Sequence, residues 1–560
     1  MSFSITYVAC QSVVGNAPIQ RVIDLNPVAH RFLGDPFYSD YTVPAGFMGQ
    51  TLPDLKFDLT LATAGSKASD VYNRWNVPYG RAGLKAYKQF WAWADANTSV
   101  DIQFVWDDHP YWNNCDHTLG VANNYFTSAG TSMSSQSDVL HQWKVADAGL
   151  KMIEAAYGNN PARGAPNGDI PQAMVGTATG KEYEVKYRYV DWGPNGEKGG
   201  KLIREIIPDY TSYKSPIATV TMAAGTPGVV THNTGNHPFV PGGNEPVYFS
   251  NVLGTMPVTK GQTYYVKYIN ATTYNLSLTP GGAAIAFGAN STQQTVCQYA
   301  AKTIFGTTQL NWMKALIADA AKSGFKHIVM SSSKDVANVD NNDGPWAYAH
   351  ERDALLAWID TNDYPVIWMC GDKHYPHAAV ARKENGHAVD YVAVCACPFG
   401  QGLGTLTPYP ECNWAYGRSE GTVIGQVYVD TDRGLTSLRI LDAWSLDPLF
   451  VADVPWGKRV PAAGGIRTAT TPPLQPHPVP FRNDGSAGVT ASPYTYKNTD
   501  SRPQLVTVGG GTVSAIARSR DNSVFDTIGA VTGGDFILAP GDYLKVTYTV
   551  APTIFSIYPM

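Results

Sequence analysis

Short apolar runs that stop abruptly at clusters of polar residues recur along this chain. Residues 5–9 read as a buried strand ending at Cys10-Gln11-Ser12, and 28–33 as a second strand broken by Gly34-Asp35-Pro36. Residues 102–105 form a third run, which empties into Trp106-Asp107-Asp108-His109-Pro110-Tyr111-Trp112-Asn113-Asn114. A fourth, 366–370, ends at Gly371-Asp372-Lys373-His374. Further strands are predicted at 183–192, 202–207, 327–331, 389–394 and 423–429. Helical spacing of apolar residues predicts helices over 69–93, 136–158, 309–322 and 346–359, the first interrupted by Pro78 and Gly80.

The pattern changes at residue 215. From there to about 296 acidic residues nearly vanish, and Thr, Val, Gly, Asn and Tyr dominate between turn signals, as in a small all-β module inserted into the first domain. The α/β pattern resumes near 298. A stretch rich in Pro, Thr and Gly then predicts a linker over 460–488, followed by a second β module over 489–560. The expected organisation is a discontinuous catalytic domain over 1–214 and 298–459, with the insert at 215–297.

With 560 residues the chain exceeds a single compact core. Its formal net charge of -5 and lack of a basic run argue against nucleic-acid binding by phosphate neutralisation. Seven cysteines without a CxxC pair suit neither a disulfide framework nor a standard zinc site. No secretion signal and no membrane-length apolar segment is read, so no membrane insertion is expected.

The chemistry is expected at strand tips. Cys10, Asp35, the Asp107-Asp108-His109 run, and Asp372 with His374 each have a structural reading when taken alone. Together they suggest groups that meet along one edge of a sheet. Carboxylate and carboxamide oxygens suit hard cations, while thiolate and imidazole suit iron or zinc. Two cations held there would clamp a phosphoryl group and activate water.

The order of these pieces resembles the PhoD-like (alkaline phosphatase D) branch of the calcineurin-like metallophosphoesterases. The resemblance rests on Ala9-Cys10-Gln11, Gly34-Asp35-Pro36-Phe37-Tyr38, Tyr72-Asn73-Arg74, Trp106-Asp107-Asp108-His109 with Asn113-Asn114, Phe305 to Leu310, Asp343 to Tyr348 leading to Glu351-Arg352, and Gly371-Asp372-Lys373-His374. It covers 1–214 and about 298–445. It implies an α/β class: a metallophosphoesterase β-sandwich flanked by helices, here with an inserted and a C-terminal all-β module. It also implies a binuclear or trinuclear site, with Fe³⁺ and Ca²⁺ expected and Zn²⁺, Mg²⁺ or Mn²⁺ as alternatives. Asp35 would bridge two metals, and Cys10 and Tyr38 would bind the iron-like ion. Asn113 (or Asn114) and Asp372 would face the second site, and Asp108 is a further candidate ligand and catalytic group. His109 would contact phosphate or protonate the leaving group, and His374 would support the site. Pro110 stands where the family has an acid, and Thr211 and Lys214 where it has arginines.

The insert resembles small β domains of bacteriophage tail fibres and tailspikes, through His237-Pro238-Phe239, Val247-Tyr248-Phe249 and the run 261–285. The segment from Ser492 to Asp542 is similar to a tail-protein appendage. These likenesses imply a virion phosphodiesterase acting on a host cell-surface phosphopolymer such as teichoic acid or a phosphorylated polysaccharide, with other tail proteins as partners and a homo-oligomer as an option. The rival expectations are an extracellular or periplasmic bacterial phosphatase that scavenges phosphate, and an inactive receptor-binding tail protein.

Overall fold

The computed structural model describes residues 2–11, 19–35, 85–105, 107, 187–211, 214, most of 218–337, 344–399, 414–418, most of 422–468, 492–498 and most of 504–559, with scattered positions in 72–83 and 149–157. Two compact units emerge. One holds nearly everything up to Thr470, and the other holds Thr471–Met560 with Val14–Asn16.

The first unit begins with β1 (Ser2–Val8), β2 (Ala29–Leu33), β3 (Asp101–Val105), β4 (Arg188–Trp192) and β5 (Ile203–Ile207). A β insert follows: β6 (Ala218–Ala223), β7 (Val229–His232), β8 (Pro246–Asn251), β9 (Tyr264–Tyr268), β10 (Thr273–Ser277) and β11 (Thr295–Tyr299). The remaining strands are β12 (His327–Ser332), β13 (Val366–Cys370), β14 (His377–Ala381), β15 (Tyr391–Cys395), β16 (Trp414–Gly417), β17 (Val423–Asp430), β18 (Leu435–Asp442), β19 (Pro448–Pro455) and β20 (Ile466–Thr468).

Two seven-stranded sheets carry the unit, in the orders β20-β19-β18-β17-β1-β2-β3 and β16-β14-β15-β13-β12-β5-β4. One apolar cluster draws on both, including Ile5, Tyr7 and Val427 from the first and Ile206, Met330 and Trp368 from the second. Within the sheets β1, β2 and β3 run parallel, as do β5, β12, β13 and β15. Their carboxyl ends are therefore the chain segments at which polar residues follow buried runs. The α-helices among the described residues are α1 (Arg21–Asp24), α2 (Lys85–Ala96), α3 (Gly306–Lys322) and α4 (Ala349–Thr361).

The expected α/β class is corrected by this count. Strands dominate, 27 against four α-helices among the described residues, and they build several sheets rather than one helix-flanked core. The physical reason lies in two places. Residues 423–468 form a four-stranded antiparallel run of which the sequence pattern yielded only the first strand. Among the described residues both Thr- and Gly-rich stretches carry strands joined by turns, and no helix. Within 69–93 the described helix is α2, from Lys85, and Tyr72, Asn73, Trp75, Asn76 and Tyr79 are helical ahead of it.

The insert closes into a barrel, β10-β7-β6-β11-β8-β9. Alternate residues Val220 and Met222, Val247 and Phe249, Tyr264 and Val266, Tyr274 and Leu276 fill it, the period-two pattern of a half-buried strand. Its first and last strands pair directly, with Cys297 opposite Ala218. The Tyr248 hydroxyl meets the His350 ring Nδ1 at 2.7 Å and the His350 amide at 3.0 Å, tying the barrel to α4. In the second unit, strands between Tyr494 and Pro559 form a four-stranded and a three-stranded sheet around Val506, Ile516, Leu538, Leu544 and Val546.

Candidate metal centre

Backbone hydrogen bonds stitch the carboxyl ends of the parallel strands into one rim. The Cys10 amide donates to the Gly34 carbonyl at 3.3 Å, and the Gln11 amide to that of Asp35 at 2.9 Å. The Gly34 amide reaches Val105, Gly371 reaches Ser332, Ala396 reaches Cys370, and Phe399 reaches Ala9. Residues beyond β1, β2, β3, β12, β13 and β15 are thereby held together. Glycine makes the crossing possible at Gly371, where a Cβ would lie 2.4 Å from the Leu33 carbonyl oxygen and 3.0 Å from the Ala9 Cβ.

Three residues of this rim adopt the left-handed region that L side chains disfavour: Cys10 (φ 53°), Asp35 (φ 39°) and Asp372 (φ 77°). Such conformations cost about 1–3 kcal/mol each and persist where surrounding structure imposes them, commonly at functional sites.

Cys10, Asp35 and His374 each present a ligand atom, and these atoms all lie within 4.8 Å of one another. Cys10 and Asp35 are buried and His374 is half-buried. Cys10 Sγ lies 3.8 Å from Asp35 Oδ2 and 3.4 Å from the Asp372 carbonyl oxygen. A thiol, a carboxylate and an imidazole at this spacing fit one borderline or iron-like ion. Cys397 neighbours Cys10, and burial pushes its thiol well above the ordinary range.

Asp372 stands differently. Its Oδ1 is 2.6 Å from Lys334 Nζ, and the same ammonium is 3.0 Å from Asp107 Oδ1. Lys334 and Asp107 are essentially inaccessible to solvent, so this is a buried charged trio. Ser332 Oγ donates to the Lys334 carbonyl and lies 2.6 Å from the Tyr210 hydroxyl. Arg352 Nε donates to the Val336 carbonyl at 2.6 Å, and Glu351 Oε1 accepts the amides of Ile304 and Phe305. Glu351 and Arg352 thus fasten the start of α3 and the loop that carries Lys334.

A second group lies beside the first. Asp335, His377 and Cys395 are buried, with ligand atoms again within 4.8 Å of one another. His377 Nε2 is 2.6 Å from Asp335 Oδ2, and its Nδ1 donates to the Tyr375 carbonyl at 3.0 Å. Cys395 Sγ donates to the Gly371 carbonyl at 3.3 Å.

Of the residues singled out in the sequence, Cys10, Asp35, Asp372 and His374 are brought to this rim. Tyr38, Asp108, His109, Asn113 and Asn114 lie outside the described residues. Lys334, Asp335, His377 and Cys395 were missed. The signal for Lys334 was present: a lysine directly behind the buried run ending Ser331-Ser332-Ser333, the same arrangement that marks Asp107.

No family model matches the chain. No curated protein matches it either. Among solved structures, one titled "Structure of PhoD" is similar, with a TM-score of 0.49 and 11% identity, covering 85% of this chain and 72% of that one. At that score and identity the likeness bears on neither residue roles nor chemistry.

Proposed function

We propose that the chain is a metal-dependent phosphoesterase that cleaves phosphodiester links in a host cell-surface polymer, carried on a phage tail. One observation carries the enzymatic part: Cys10, Asp35 and His374, distant in sequence, present thiol, carboxylate and imidazole within 4.8 Å of one another on a conformationally strained rim. The motif order of the sequence supports the choice of phosphoesters over other hydrolysable bonds.

Cys10, Asp35 and His374 would hold the ion. When bound there, an ion would lower the pKa of a coordinated water and polarise a phosphoryl oxygen. Around it the chain's own groups act. Left-handed backbone at Cys10 and Asp35 fixes the donors before any ligand arrives, which keeps reorganisation small. The buried Lys334 ammonium, paired with Asp372 and Asp107, offsets part of the negative charge that the rim's carboxylates would otherwise present to an anionic substrate.

The tail location and the polymer substrate are supported by the likeness of 215–297 and 489–560 to tail modules. Purified full-length protein is expected to release phosphate or a phosphomonoester from teichoic acid in a chelator-sensitive manner, and Asp35→Ala to abolish that release. Release that survives Asp35→Ala refutes the enzymatic assignment. Absence of the chain from purified particles, tested by mass spectrometry, refutes the tail location alone.

A further inference from the structure

We propose that Lys334 is a resident cation that takes the place of a second metal ion, making Asp372 an ion-pair partner rather than a metal ligand. This rests on the phosphoesterase reading only for the first ion, at Cys10, Asp35 and His374.

Asp107 and Asp372 bring two carboxylates into a buried rim, and such a pair requires a compensating cation. Metal ions are the usual answer when hard oxygen donors cluster. Here the answer is covalent to the chain. Lys334 Nζ sits 2.6 Å from Asp372 Oδ1 and 3.0 Å from Asp107 Oδ1, with its side chain 1% exposed. A divalent ion placed on the Asp372 carboxylate would stand directly beside that ammonium, and like charges at such range repel.

The lysine cannot easily withdraw. Its carbonyl accepts from Ser332 Oγ, its strand end is paired to β13, and the following loop is held by Arg352 at the Val336 carbonyl. Asp107 is packed as firmly: a Cβ added at Gly34 would come within 3.0 Å of its Oδ2 and 3.2 Å of the Ser333 Cβ. Withdrawal of the ammonium would leave two buried carboxylates without it, so the trio is fixed as a unit.

An ammonium is not equivalent to a calcium-like ion. It carries one charge rather than two, offers N–H donors rather than open coordination positions, and does not exchange with solvent. The rim is therefore set up for one exchangeable ion and one fixed cation.

Metal content of the full-length protein decides the matter without any substrate. Native protein and chelator-stripped protein reloaded with Fe²⁺, Zn²⁺, Mn²⁺ or Ca²⁺ are measured by elemental analysis and by calorimetric titration. Asp372→Asn is expected to leave the number of ions per chain unchanged, while Cys10→Ser lowers it. Lys334→Met, which leaves both carboxylates uncompensated, is expected to gain about one equivalent of Ca²⁺ or Mn²⁺ per chain. Loss of an ion in Asp372→Asn overturns the proposal, as does a folded Lys334→Met that binds no more metal than the native chain. Should Lys334→Met fail to fold, Asp372→Asn still decides. A chain that hydrolyses no phosphoester yet keeps its metal count in Asp372→Asn fails the functional reading and retains this one. A native chain that binds no ion fails both.

Discussion

Arg31 of β2 forks onto Glu205 of β5 from the opposing sheet, Nε to Oε1 at 2.9 Å and Nη2 to Oε2 at 2.6 Å, with both side chains fully buried. Asp101 adds a second carboxylate 2.8 Å from Nη2 and is itself paired with Lys198 at 2.7 Å. Ser331 donates to Glu205 Oε1 at 2.7 Å, and Trp192 Nε1 reaches Oε2 at 3.3 Å. Burial works against charge on Arg31, and Glu205 and Asp101 outweigh it, holding the guanidinium above its ordinary pKa. Removing one partner of such a pair strands the other charge. Glu205→Ala is expected to destabilise the first unit by about 3–5 kcal/mol, read as a lower denaturant midpoint. A shift below about 1 kcal/mol, the range of exposed pairs, would show that the pair does not fasten the sheets.

Two other buried rings set a pH response. Burial, with Arg31 adding to it, lowers the pKa of His30 to about 3, and its Nδ1 lies 2.9 Å from Thr6 Oγ1. Burial lowers His327 to about 4 despite its contacts to Lys458 and Pro455. Both rings are neutral in the fold and take up protons near pH 6.5 once unfolded. Between about pH 6.5 and 4 the unfolded chain therefore binds more protons, so stability falls as pH falls, by up to about 1.4 kcal/mol per pH unit for each ring. Thermal melts from pH 8 to pH 4 check this. His327→Gln should flatten the slope, and an unchanged slope would exclude His327 as its source.

The thiol at the rim has a spectroscopic signature. Cys370, Cys395 and Cys397 are pushed up by burial and stay protonated thiols. If Cys10 is the sulfur ligand, Co²⁺-loaded protein shows thiolate-to-metal charge-transfer absorption that vanishes in Cys10→Ser and persists in Cys370→Ser. Affinity for the ion should drop at least tenfold, the scale on which even outer-shell changes act. Retention of the band in Cys10→Ser would remove Cys10 from the ligand set.

Gly371 is a position at the rim where added bulk is poorly tolerated. Its Cβ would collide with the Leu33 carbonyl and crowd Ala9 and the Ser333 carbonyl. Gly371→Ala should cost about 1–3 kcal/mol, as overpacking does, and should separate Cys10 from His374. Chelator-sensitive activity should fall with it, while far-ultraviolet circular dichroism stays unchanged. Full activity in a stably folded Gly371→Ala would show that this crossing does not position the site.

How much of this was legible in the sequence depended on the kind of signal. Strand tips were legible because Val366 to Cys370 is apolar throughout, Ile102 to Val105 is apolar except for Gln103, and both runs stop at polar residues. Cys10, Asp35, Asp372 and His374 followed from that rule, since parallel strands bring their ends to one edge. Lys334 escaped because the reading sought donors for a cation and not a cation among donors. His377 escaped because it opens a buried strand and resembles a satisfied core histidine. The class was misjudged because buried parallel strands alternating with helical periods imitate an α/β chain. Among the described residues the antiparallel run from Val423 to Thr468, the β insert and the C-terminal β module leave no comparable helical counterweight.

The direct pairing of Ala218 with Cys297 means that the six-stranded barrel enters and leaves its host through a single doorway. Paired backbones there are about 5 Å apart, a gap that a short turn of a few residues bridges. The surrounding sheets need no strand from the barrel to complete their own ladders. The barrel is thus a cassette: a different ring, or a bare hairpin, spliced at the same threshold would leave the strand ends around Cys10 and Asp35 as they are.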